Sequence, residues 1–527
     1  MTQTLSDQER QYRNYAFFVM GLVAVYHLVI IGVVGLGDNE AYYWTWSKHL
    51  DISYYDHPAM VAYLIKLGTM LFGDNPFGVR ITTTILFFLT TLFVYLLTVG
   101  IFKSRRAGFY ATVLTNIVPL YFIVGIITVP DAPLATLWVI FLYLLYRAIG
   151  GVQWWHWYLL GAVAGAAFLS KYFAILLLPS ALFFLLSDKS LRGYLRTPHP
   201  YLGVILSFLI MTPVIWWNAA HGWPSFEFHL VARHSQGFQW DNVGKMIGGQ
   251  MSMTPILLFF LLAALWVSIK RGFLKGDDVR YKFIVWTSAP TLLFFYITMC
   301  FTDKAEPHWP ALGYVPLVIA AAGLYPEYLE KWGDKKLSDY RWIRALGFGA
   351  VRRWMGRTSA FKTLVALGIA FPLLFIVFMS VQIFYPLYRP EKSKYDITND
   401  FYGWETAAEH VRETSAGMER ETGSVPFIFS YHYNPASQIT WALEDWENVY
   451  CLSYKIDQFD FWKSPEALVG RDGIYIINDH YDSPPEERYD FDRIEGPVKI
   501  TIFRATGYKA RTFYIYKCYG YRGMKER

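Results

Sequence analysis

Residues 15–44, YAFFVMGLVAVYHLVIIGVVGLGDNEAYYW, place two carboxylates directly after an apolar run. Residues 15–36 contain no Asp, Glu, Lys or Arg, and about 20 such residues suffice to cross the hydrocarbon core of a bilayer. Asp38 and Glu40 follow at the end of the run, where charges that faced lipid would be costly. The run predicts a membrane-spanning helix, and the two acids predict a functional position at the boundary between membrane and water.

The whole chain has the composition of a membrane protein. Of its 527 residues, 54% are hydrophobic and only 17% are charged, whereas an ordinary soluble chain is about 25% charged. Apolar runs of about 14 to 23 residues, of which the fifth is short for a complete span, recur at residues 15–36, 79–101, 107–127, 132–149, 157–170, 172–187, 201–217, 251–269, 282–300, 309–325 and 361–383. The sequence therefore predicts a polytopic α-helical membrane protein with about 11 transmembrane helices. Small residues in the fifth run suit close helix packing: Gly161, Ala164, Gly165 and Ala167.

The distribution of basic residues predicts the orientation. If the N-terminus is cytoplasmic, 23 Lys and Arg fall in the cytoplasmic segments and 7 in the outer loops. Cytoplasmic loops carry the excess of positive charge in membrane proteins. Arg10 and Arg13 precede the first run, and no small-residue cleavage site follows it, so we expect an uncleaved anchor.

The pattern changes at about residue 385. The segments VPFIFSY, GIYIIND, VKITIFRA and RTFYIYKCY are short, rich in β-branched and aromatic residues, and predict strands, whereas YGWETAAEHVRETSAG predicts a helix. We therefore predict a transmembrane domain over residues 1–384 and a soluble α/β domain over residues 385–527 on the outer side. Cys451 and Cys518 could form a disulfide there.

Acids, bases and aromatic residues gather in the predicted outer loops. The first loop contains EAYYWTWSKHL and HPAMVAYLIKLGTMLF, which have the spacing of amphipathic helices and are expected to lie on the membrane surface, with their tyrosines and tryptophans holding the loop at headgroup depth. The later outer loops carry Asp131, Lys171, Arg233, Lys304, Glu306 and His308. A shared face is a stronger indication of a site than any one of these residues.

Glycosyl transfer from a lipid-linked donor would use such a set. A carboxylate deprotonates the attacking hydroxyl, cationic groups stabilise the departing phosphate, and aromatic faces hold sugars or isoprenoid chains. Each residue also has a structural interpretation. Asp38 and Glu40 could cap the following helix, and Asp131 could be a turn or cap residue. Lys171 could extend its ammonium group to the membrane interface, and the remaining residues could be loop or interface anchors.

Five motifs resemble a known family. They are residues 38–80 (DNEAYYW to FGVR), 128–145 (TVPDAP to LYLL), 168–180 (FLSKYFAILLLPS), 216–234 (WWNAAHGWPSFEFHLVARH) and 304–314 (KAEPHWPALGY). In this order they resemble the bacterial protein-mannosyltransferase-like glycosyltransferases of the GT-C superfamily, which include the ArnT-type aminoarabinose transferases of lipid A. A weaker similarity extends to ITWALEDWENVY and YKIDQFDFWKSP, at residues 439–450 and 454–465.

The resemblance implies roles for individual residues. The family carries adjacent Asp and Glu in the first outer loop, with the Asp as base. Here Glu40 matches the Glu, Asn39 takes the place of the Asp, and Asp38 stands one residue earlier, so we predict that Asp38 or Glu40 is catalytic. We predict donor-phosphate contacts from His57, Lys171, Arg233, Arg80 and Lys304, and substrate contacts from Asp131, Tyr43, Glu306 and His308. The family is not generally built around a metal, and we predict none, although this does not exclude a divalent ion.

The implied activity is that of an inverting glycosyltransferase in the bacterial inner membrane. It would move a sugar from a polyprenyl-phosphate donor to a hydroxyl of a lipid, lipid A or other glycan at the outer face. Protein O-glycosylation with the same class of donor is an alternative, and a transporter or lipid-linked-sugar flippase is another. The expected partners are the lipid-linked donor, the acceptor and membrane lipids, with no nucleic acid.

We expect a reporter that is active only in the cytoplasm to be silent when it is fused after Arg527, because the charge distribution places the C-terminus outside. The same reporter fused within the segment around Arg105 should be active. Strong activity of the C-terminal fusion would require an even number of spans.

Overall fold

The computed structural model describes residues 7–151, 153–231, 237–302, 306–336, 359–481 and 483–525. Helices build most of the chain up to residue 384, and a mixed sheet follows. The helices of the first part are α1 Asp7–Val33, α2 Asp38–Lys48, α3 Met60–Phe72, α4 Pro76–Phe102, α5 Arg105–Ile117, α6 Pro119–Val124, α7 Asp131–Ala148, α8 Trp155–Phe168, α9 Leu177–Ser187, α10 His199–Ala220, α11 Pro224–Leu230, α12 Trp240–Met253, α13 Pro255–Ile269, α14 Val279–Thr298, α15 Ala311–Trp332 and α16 Ala360–Phe384.

The helices agree with the predicted membrane spans. Among the described residues, eight helices are long and apolar enough to cross a membrane: α1, α4, α7, α10, α13 with the turn that follows it, α14 with the turn that follows it, α15 and α16. The other three predicted spans correspond to shorter helices, namely α5 with α6, α8, and a 3-10 turn at Tyr172–Leu176 followed by α9. The polytopic fold is confirmed, and the count of 11 stays a prediction.

One of the three shorter spans is interrupted for a local reason. Val118, between α5 and α6, has extended backbone angles of φ −69° and ψ 116°. It precedes Pro119, whose ring disfavours a helical conformation in the residue before it. The apolar composition of residues 107–127 predicts one continuous helix, but this proline divides it.

The chain forms two compact units. The helical unit comprises Met1–Leu28, Thr83–Ile126 and Pro130–Val377, and the mixed unit comprises Val29–Thr82, Ile127–Val129 and Phe378–Arg527. The first predicted outer loop, with α2 and α3, thus belongs to the same unit as the C-terminal sheet. The predicted boundary between residues 384 and 385 stays a prediction.

In the helical unit, α8 and α10 approach each other closely. A Cβ atom added at Gly161 would lie 1.9 Å from the carbonyl oxygen of Gly203, and one added at Gly165 would lie 2.8 Å from that of Ser207. Such distances are too short for any side chain, so only glycine allows the two backbones to pack at this spacing. The expectation of close packing by the small residues of this segment is confirmed.

The mixed unit contains a five-stranded sheet and two further helices. The strands are β1 Phe427–Ser430, β2 Val449–Cys451, β3 Gly473–Asn478, β4 Tyr489–Phe503 and β5 Lys509–Met524, and the helices are α17 Trp404–Thr422 and α18 Tyr433–Leu443. The sheet has the order β2-β1-β3-β5-β4, in which β1 pairs in parallel with β2 and β3, while β5 is antiparallel to both β3 and β4. The four predicted strands and the predicted helix are present.

The two C-terminal cysteines are free. Cys451 lies on β2 and Cys518 on β5, and two strands separate them in the sheet. At about 4.8 Å between neighbouring strands their backbones are roughly 14 Å apart, whereas a disulfide requires less than about 7 Å between Cα atoms. The disulfide that the sequence allowed is therefore not formed.

The first-loop helices α2 and α3 differ in their surroundings. Helix α2 is buried from Glu40 to Ser47, and its aromatic rings pack against the C-terminal part of the same unit. Trp44 lies 4.8 Å from Trp441 between ring centroids. The prediction that these tyrosines and tryptophans hold the loop at headgroup depth is wrong, because they form a protein core. Burying them against α18 removes more apolar surface from water than an interfacial position would.

Helix α3 has the predicted amphipathic pattern. It buries Val61, Ala62 and Ile65 on one side and exposes Met70 and Leu71 on the other. Residues three and four apart share one face of a helix, so this spacing gives it one packed face and one outward apolar face.

We expect Gly161→Ala to lower the thermal midpoint of the detergent-solubilised protein, because the new methyl group would force α8 and α10 apart. Overpacking of this kind costs about 1–3 kcal/mol. Gly21→Ala in α1 is a matched control, since a Cβ there meets no atom within 4 Å. Equal midpoints for the two variants would contradict the close contact between these helices.

Candidate functional site

The two predicted catalytic acids lie in the first turn of α2. Gly37 precedes the helix with extended angles of φ −75° and ψ 161°, and its backbone N–H donates to Oε2 of Glu40 at 2.9 Å. Acidic side chains at a helix N-terminus are stabilised by the unpaired N–H groups and the helix dipole. Asp38 and Glu40 share this position but have different partners.

Glu40 forms a buried ion pair with Arg80 of α4. The Nε and Nη2 atoms of Arg80 donate to the two oxygens of the Glu40 carboxylate at 2.7 and 2.5 Å. Both side chains are almost fully excluded from solvent. The planar guanidinium fork matches a carboxylate in this two-point geometry, which gives the pair a defined orientation.

The remaining donors of Arg80 are also used. Nη1 donates to the carbonyl oxygens of Val34 at 2.6 Å and Ile31 at 3.4 Å, and Nη2 donates to that of Gly35 at 2.7 Å. These carbonyls lie at the C-terminal end of α1, where four backbone oxygens have no partner within the helix. All five N–H groups of the guanidinium are thus bonded within the protein.

Glu40 joins a further segment to this network. Its Oε1 accepts a hydrogen bond from the backbone N–H of Thr128 at 2.9 Å. The hydroxyl of Thr128 donates to the carbonyl of Val79, next to Arg80. One carboxylate therefore connects the end of α1, the start of α2, the start of α4 and residues 127–129.

Asp38 is half-buried and has a simpler environment. Nε2 of Gln438, on α18, donates to Asp38 Oδ1 at 2.9 Å and to the carbonyl of Leu36 at 3.0 Å. Within the part of the chain that the structure describes, the bond from Gln438 is the one hydrogen bond that the Asp38 carboxylate accepts. The Asp38 side chain thus retains an oxygen that can accept a proton, whereas both oxygens of Glu40 are bonded.

Further ionisable groups of the mixed unit interact electrostatically with Asp38. Burial, with a contribution from the Asp38 charge, raises the pKa of Asp400 to about 7, while Arg511 opposes the shift. Nη2 of Arg511 donates to Oδ1 of Asp400 at 2.6 Å. His480 and Tyr481, which follow β3, also interact electrostatically with Asp38. The acid predicted from the first loop therefore lies among residues of the C-terminal part.

The rest of the first loop is fixed by hydrogen bonds to the segment after β2. The hydroxyl of Tyr42 donates to Asp56 at 2.7 Å and accepts from the backbone N–H of Gln458 at 2.9 Å. The side-chain oxygen of Gln458 accepts from the backbone N–H of Tyr55 at 2.7 Å. These contacts hold the turn that contains His57.

Two predicted ligands lie in and next to this turn. The carbonyl of His57 accepts from the backbone N–H of Tyr54, which closes the turn. The ring of Tyr43, a predicted substrate contact, is 6.3 Å from that of His57 and 4.9 Å from that of Trp46. Tyr43 is mostly buried, so its ring contributes chiefly to packing.

The helical unit contains a second charged cluster. Nζ of Lys171 donates to both oxygens of Asp131 at 2.9 and 2.8 Å. Asp131 begins α7, and Lys171 precedes the 3-10 turn before α9. His308 interacts electrostatically with Asp131, and its Nδ1 lies 3.9 Å from the Glu306 carboxylate.

The predicted site residues fall into two clusters, one in each unit, and some lie outside the described residues. The structure brings Glu40 together with Arg80 in the mixed unit, and Asp131 with Lys171, His308 and Glu306 in the helical unit. Arg233 and Lys304 lie outside the described residues. Among the described residues, no three His, Cys, Asp or Glu side chains are grouped so as to hold a metal ion. The expectation of no metal stays a prediction.

Sequence reasoning missed the groups that come from distant parts of the chain and interact with Asp38, Glu40 or the first outer loop. They are Thr128, Asp400 with its partner Arg511, Gln438 and Gln458. Three of them had a signal, since Thr128 begins the motif 128–145, Gln458 lies within the weakly similar segment 454–465 and Gln438 immediately precedes the segment 439–450. Nothing local in the sequence marks Asp400 or Arg511.

Comparison with known proteins agrees with this fold. Residues 56–217 match the dolichyl-phosphate-mannose-protein mannosyltransferase family. The crystal structure of ArnT from Cupriavidus metallidurans superposes with a TM-score of 0.60 in the apo state, at 14% identity, over 95% of this chain and 97% of that one. The same protein bound to undecaprenyl phosphate gives a TM-score of 0.58. At this identity the similarity shows a common fold.

Two relatives are similar in sequence. The lipid A galacturonosyltransferase RgtD of Rhizobium johnstonii is 28% identical over 310 residues, which are 56% of this chain and 61% of that protein. The undecaprenyl phosphate-alpha-4-amino-4-deoxy-L-arabinose arabinosyl transferase of Pectobacterium carotovorum subsp. carotovorum is 26% identical over 332 residues, which are 58% of this chain and 56% of that protein. The chain thus spans about three fifths of the length of these relatives. In part of its sequence and in its fold, this multi-pass membrane protein is thus similar to glycosyltransferases of the GT-C superfamily.

Proposed function

We propose that the protein is an inverting glycosyltransferase that moves a sugar from a polyprenyl-phosphate donor to a hydroxyl of a lipid, lipid A or other glycan acceptor. The names of the relatives support this class of reaction, since one is a lipid A galacturonosyltransferase and the other takes aminoarabinose from undecaprenyl phosphate. We place the reaction at the outer face of the bacterial inner membrane, with the N-terminus cytoplasmic. Protein O-glycosylation with the same class of donor is the alternative.

The observation that carries the proposal is the difference between the two acids of α2. Glu40 is saturated by Arg80, Gly37 and Thr128, so it has no oxygen left for a substrate hydroxyl. Asp38 is half-buried and accepts one hydrogen bond among the described residues. A general base needs an accessible oxygen within hydrogen-bond reach of the proton it removes. We therefore assign Asp38 as the base.

In the proposed step, the acceptor oxygen attacks the anomeric carbon as its proton passes to Asp38. The bond from that carbon to the donor phosphate breaks, and the bonding electrons leave with the lipid phosphate. Attack on the side opposite to the departing phosphate inverts the configuration at the anomeric carbon. Because the leaving group is already a phosphate ester, it needs charge stabilisation rather than protonation.

We assign Arg80 a structural role in place of the predicted donor-phosphate contact, because its five N–H groups are all bonded within the protein. Lys171 and His57 are retained as proposed phosphate ligands. The carboxylate of Asp131 orients the Lys171 ammonium, which has three donors and so keeps bonding capacity for a phosphate.

We expect Asp38→Asn to abolish turnover while the thermal midpoint stays near that of the parent protein. The amide keeps the size of the side chain but cannot accept a proton, and positioned general-base catalysis is typically worth about 10² to 10⁴ in rate. Glu40→Gln should behave differently. It leaves Arg80 as a buried charge without its counterion, which costs about 3–5 kcal/mol of stability.

Sugar transfer from a purified lipid-linked donor and thermal unfolding, measured on the same preparations, separate the two roles. Normal turnover by Asp38→Asn would remove Asp38 as the base. A normal thermal midpoint for Glu40→Gln would contradict the structural role of the Glu40–Arg80 pair.

We expect the purified protein to transfer sugar from a lipid monophosphate and not directly from a nucleotide sugar. The basis is the class of donor in the name of the aminoarabinose transferase and the absence of a G-x-G-x-x-G loop between a predicted strand and helix. Assays with each donor, after removal of polyprenyl phosphate, provide the test. Transfer from the nucleotide sugar under those conditions would refute this proposal.

A further inference from the structure

We propose that Gln438 is a positioning residue for Asp38, through which the C-terminal part of the chain controls the catalytic acid. The inference rests on the proposed function, because it gives Asp38 the role of base. It adds that helix α18 supplies the group that orients the Asp38 carboxylate and favours its ionised form.

The orientation of the Gln438 amide follows from its two partners. The carbonyl oxygen of Leu36 can only accept a hydrogen bond, and the ionised Asp38 carboxylate can only accept as well. The nitrogen of the amide must therefore face both, as it does at 3.0 and 2.9 Å. Reversing the amide would place its oxygen against two other oxygens, so this assignment is determined by chemistry.

The two contacts hold the chain on either side of Gly37. Gln438 binds the residue before and the residue after this glycine, while Glu40 binds the N–H of Gly37 itself. A Cβ atom at Gly37 would lie 3.4 Å from both the Glu40 carboxylate and the Phe401 ring, so this turn is closely packed. The backbone that carries Asp38 is thereby fixed from two sides.

Gln438 is itself rigidly placed. It is 1% exposed, and its neighbours Ala436 and Ile439 on α18 are fully buried in the core of the mixed unit. A side chain held by packing positions its partner more accurately than one on a loop. The amide does not ionise near neutral pH, so Gln438 cannot itself serve as the acid or base of the reaction.

The charges near Asp38 give this hydrogen bond its significance. Asp400 and Tyr481 interact electrostatically with Asp38 as further acids, His480 does so from the segment after β3, and Arg511 is paired with Asp400. On α2 itself, Glu40 is already neutralised by Arg80. A second carboxylate nearby opposes ionisation of Asp38, and a donated hydrogen bond favours it. Gln438 thus favours an ionised Asp38 without adding another charge.

The test is Gln438→Met, with Gln458→Met as the matched control. Both glutamines belong to the C-terminal part of the chain, are 1% exposed and bind the segment 36–55, but only Gln438 contacts Asp38. Methionine keeps the length of the side chain and removes its polar atoms. Turnover, the KM for the lipid donor, the thermal midpoint and the pH dependence of kcat are measured for each.

We expect Gln438→Met to lower kcat about tenfold and to leave the donor KM near its parent value. The acid limb of the pH dependence of kcat should move upward by about one pH unit, because one hydrogen bond to a charged group is lost. Gln458→Met should lower the thermal midpoint without moving that limb. Measuring the pH dependence of kcat for both glutamine variants in an Asp400→Asn background identifies any contribution of Asp400 to the acid limb.

Gln438→Glu provides a second variant if Gln438→Met does not fold. Its acid can donate to Asp38 only when protonated, so turnover should be retained at low pH and lost as the pH rises. Identical pH profiles for the parent, Gln438→Met and Gln438→Glu would overturn the inference. If Asp38→Asn keeps its turnover, the proposed base is wrong. If Asp38→Asn is inactive but the glutamine variants have unchanged profiles, only the positioning role fails.

Discussion

The buried contact between Glu40 and Arg80 is the interaction on which the mixed unit depends. Removing two charges from water is expensive, and their mutual attraction compensates only when the remaining hydrogen-bonding groups are also satisfied. Here every N–H of the guanidinium and both oxygens of the carboxylate have partners. Because those partners come from four segments, the pair fixes where α1 ends and where α2 begins.

A second buried arginine uses the same physical principle. Arg504 donates to the carbonyl of Ile383, near the C-terminal end of α16, and to the side chains of Thr398 and Asn399. Its Nη1 also lies 3.2 Å from the Asp396 carboxylate. Unpaired carbonyls at a helix C-terminus carry partial negative charge, so a guanidinium there stabilises both the helix and a neighbouring acid. In the mixed unit, two long apolar helices therefore end at an arginine paired with a carboxylate.

The sequence predicts those parts of the protein that depend on local pattern. Apolar runs locate the long helices, and β-branched segments locate four of the five strands. The surroundings of α2 could not be predicted in the same way. The aromatic residues from Tyr42 to Trp46 are consistent with a membrane interface when they are considered alone. Only the position of α18, which is distant in sequence, shows that they form a core. Similarly, Gln438 lies about 400 residues from Asp38, and no periodicity relates them.

The spacing of the two acids explains why one sequence motif can serve two purposes. Successive residues of an α-helix are rotated by about 100°, so side chains two positions apart point to nearly opposite sides. Glu40 therefore faces Arg80 and the end of α1, while Asp38 faces Gln438 and interacts electrostatically with Asp400. Asn39, between them, is exposed. A carboxylate that holds four segments together cannot also exchange a proton with a substrate without losing its partners. By separating the two acids with one residue, the chain gives Glu40 its structural contacts and leaves an oxygen of Asp38 available for its proposed role as the base.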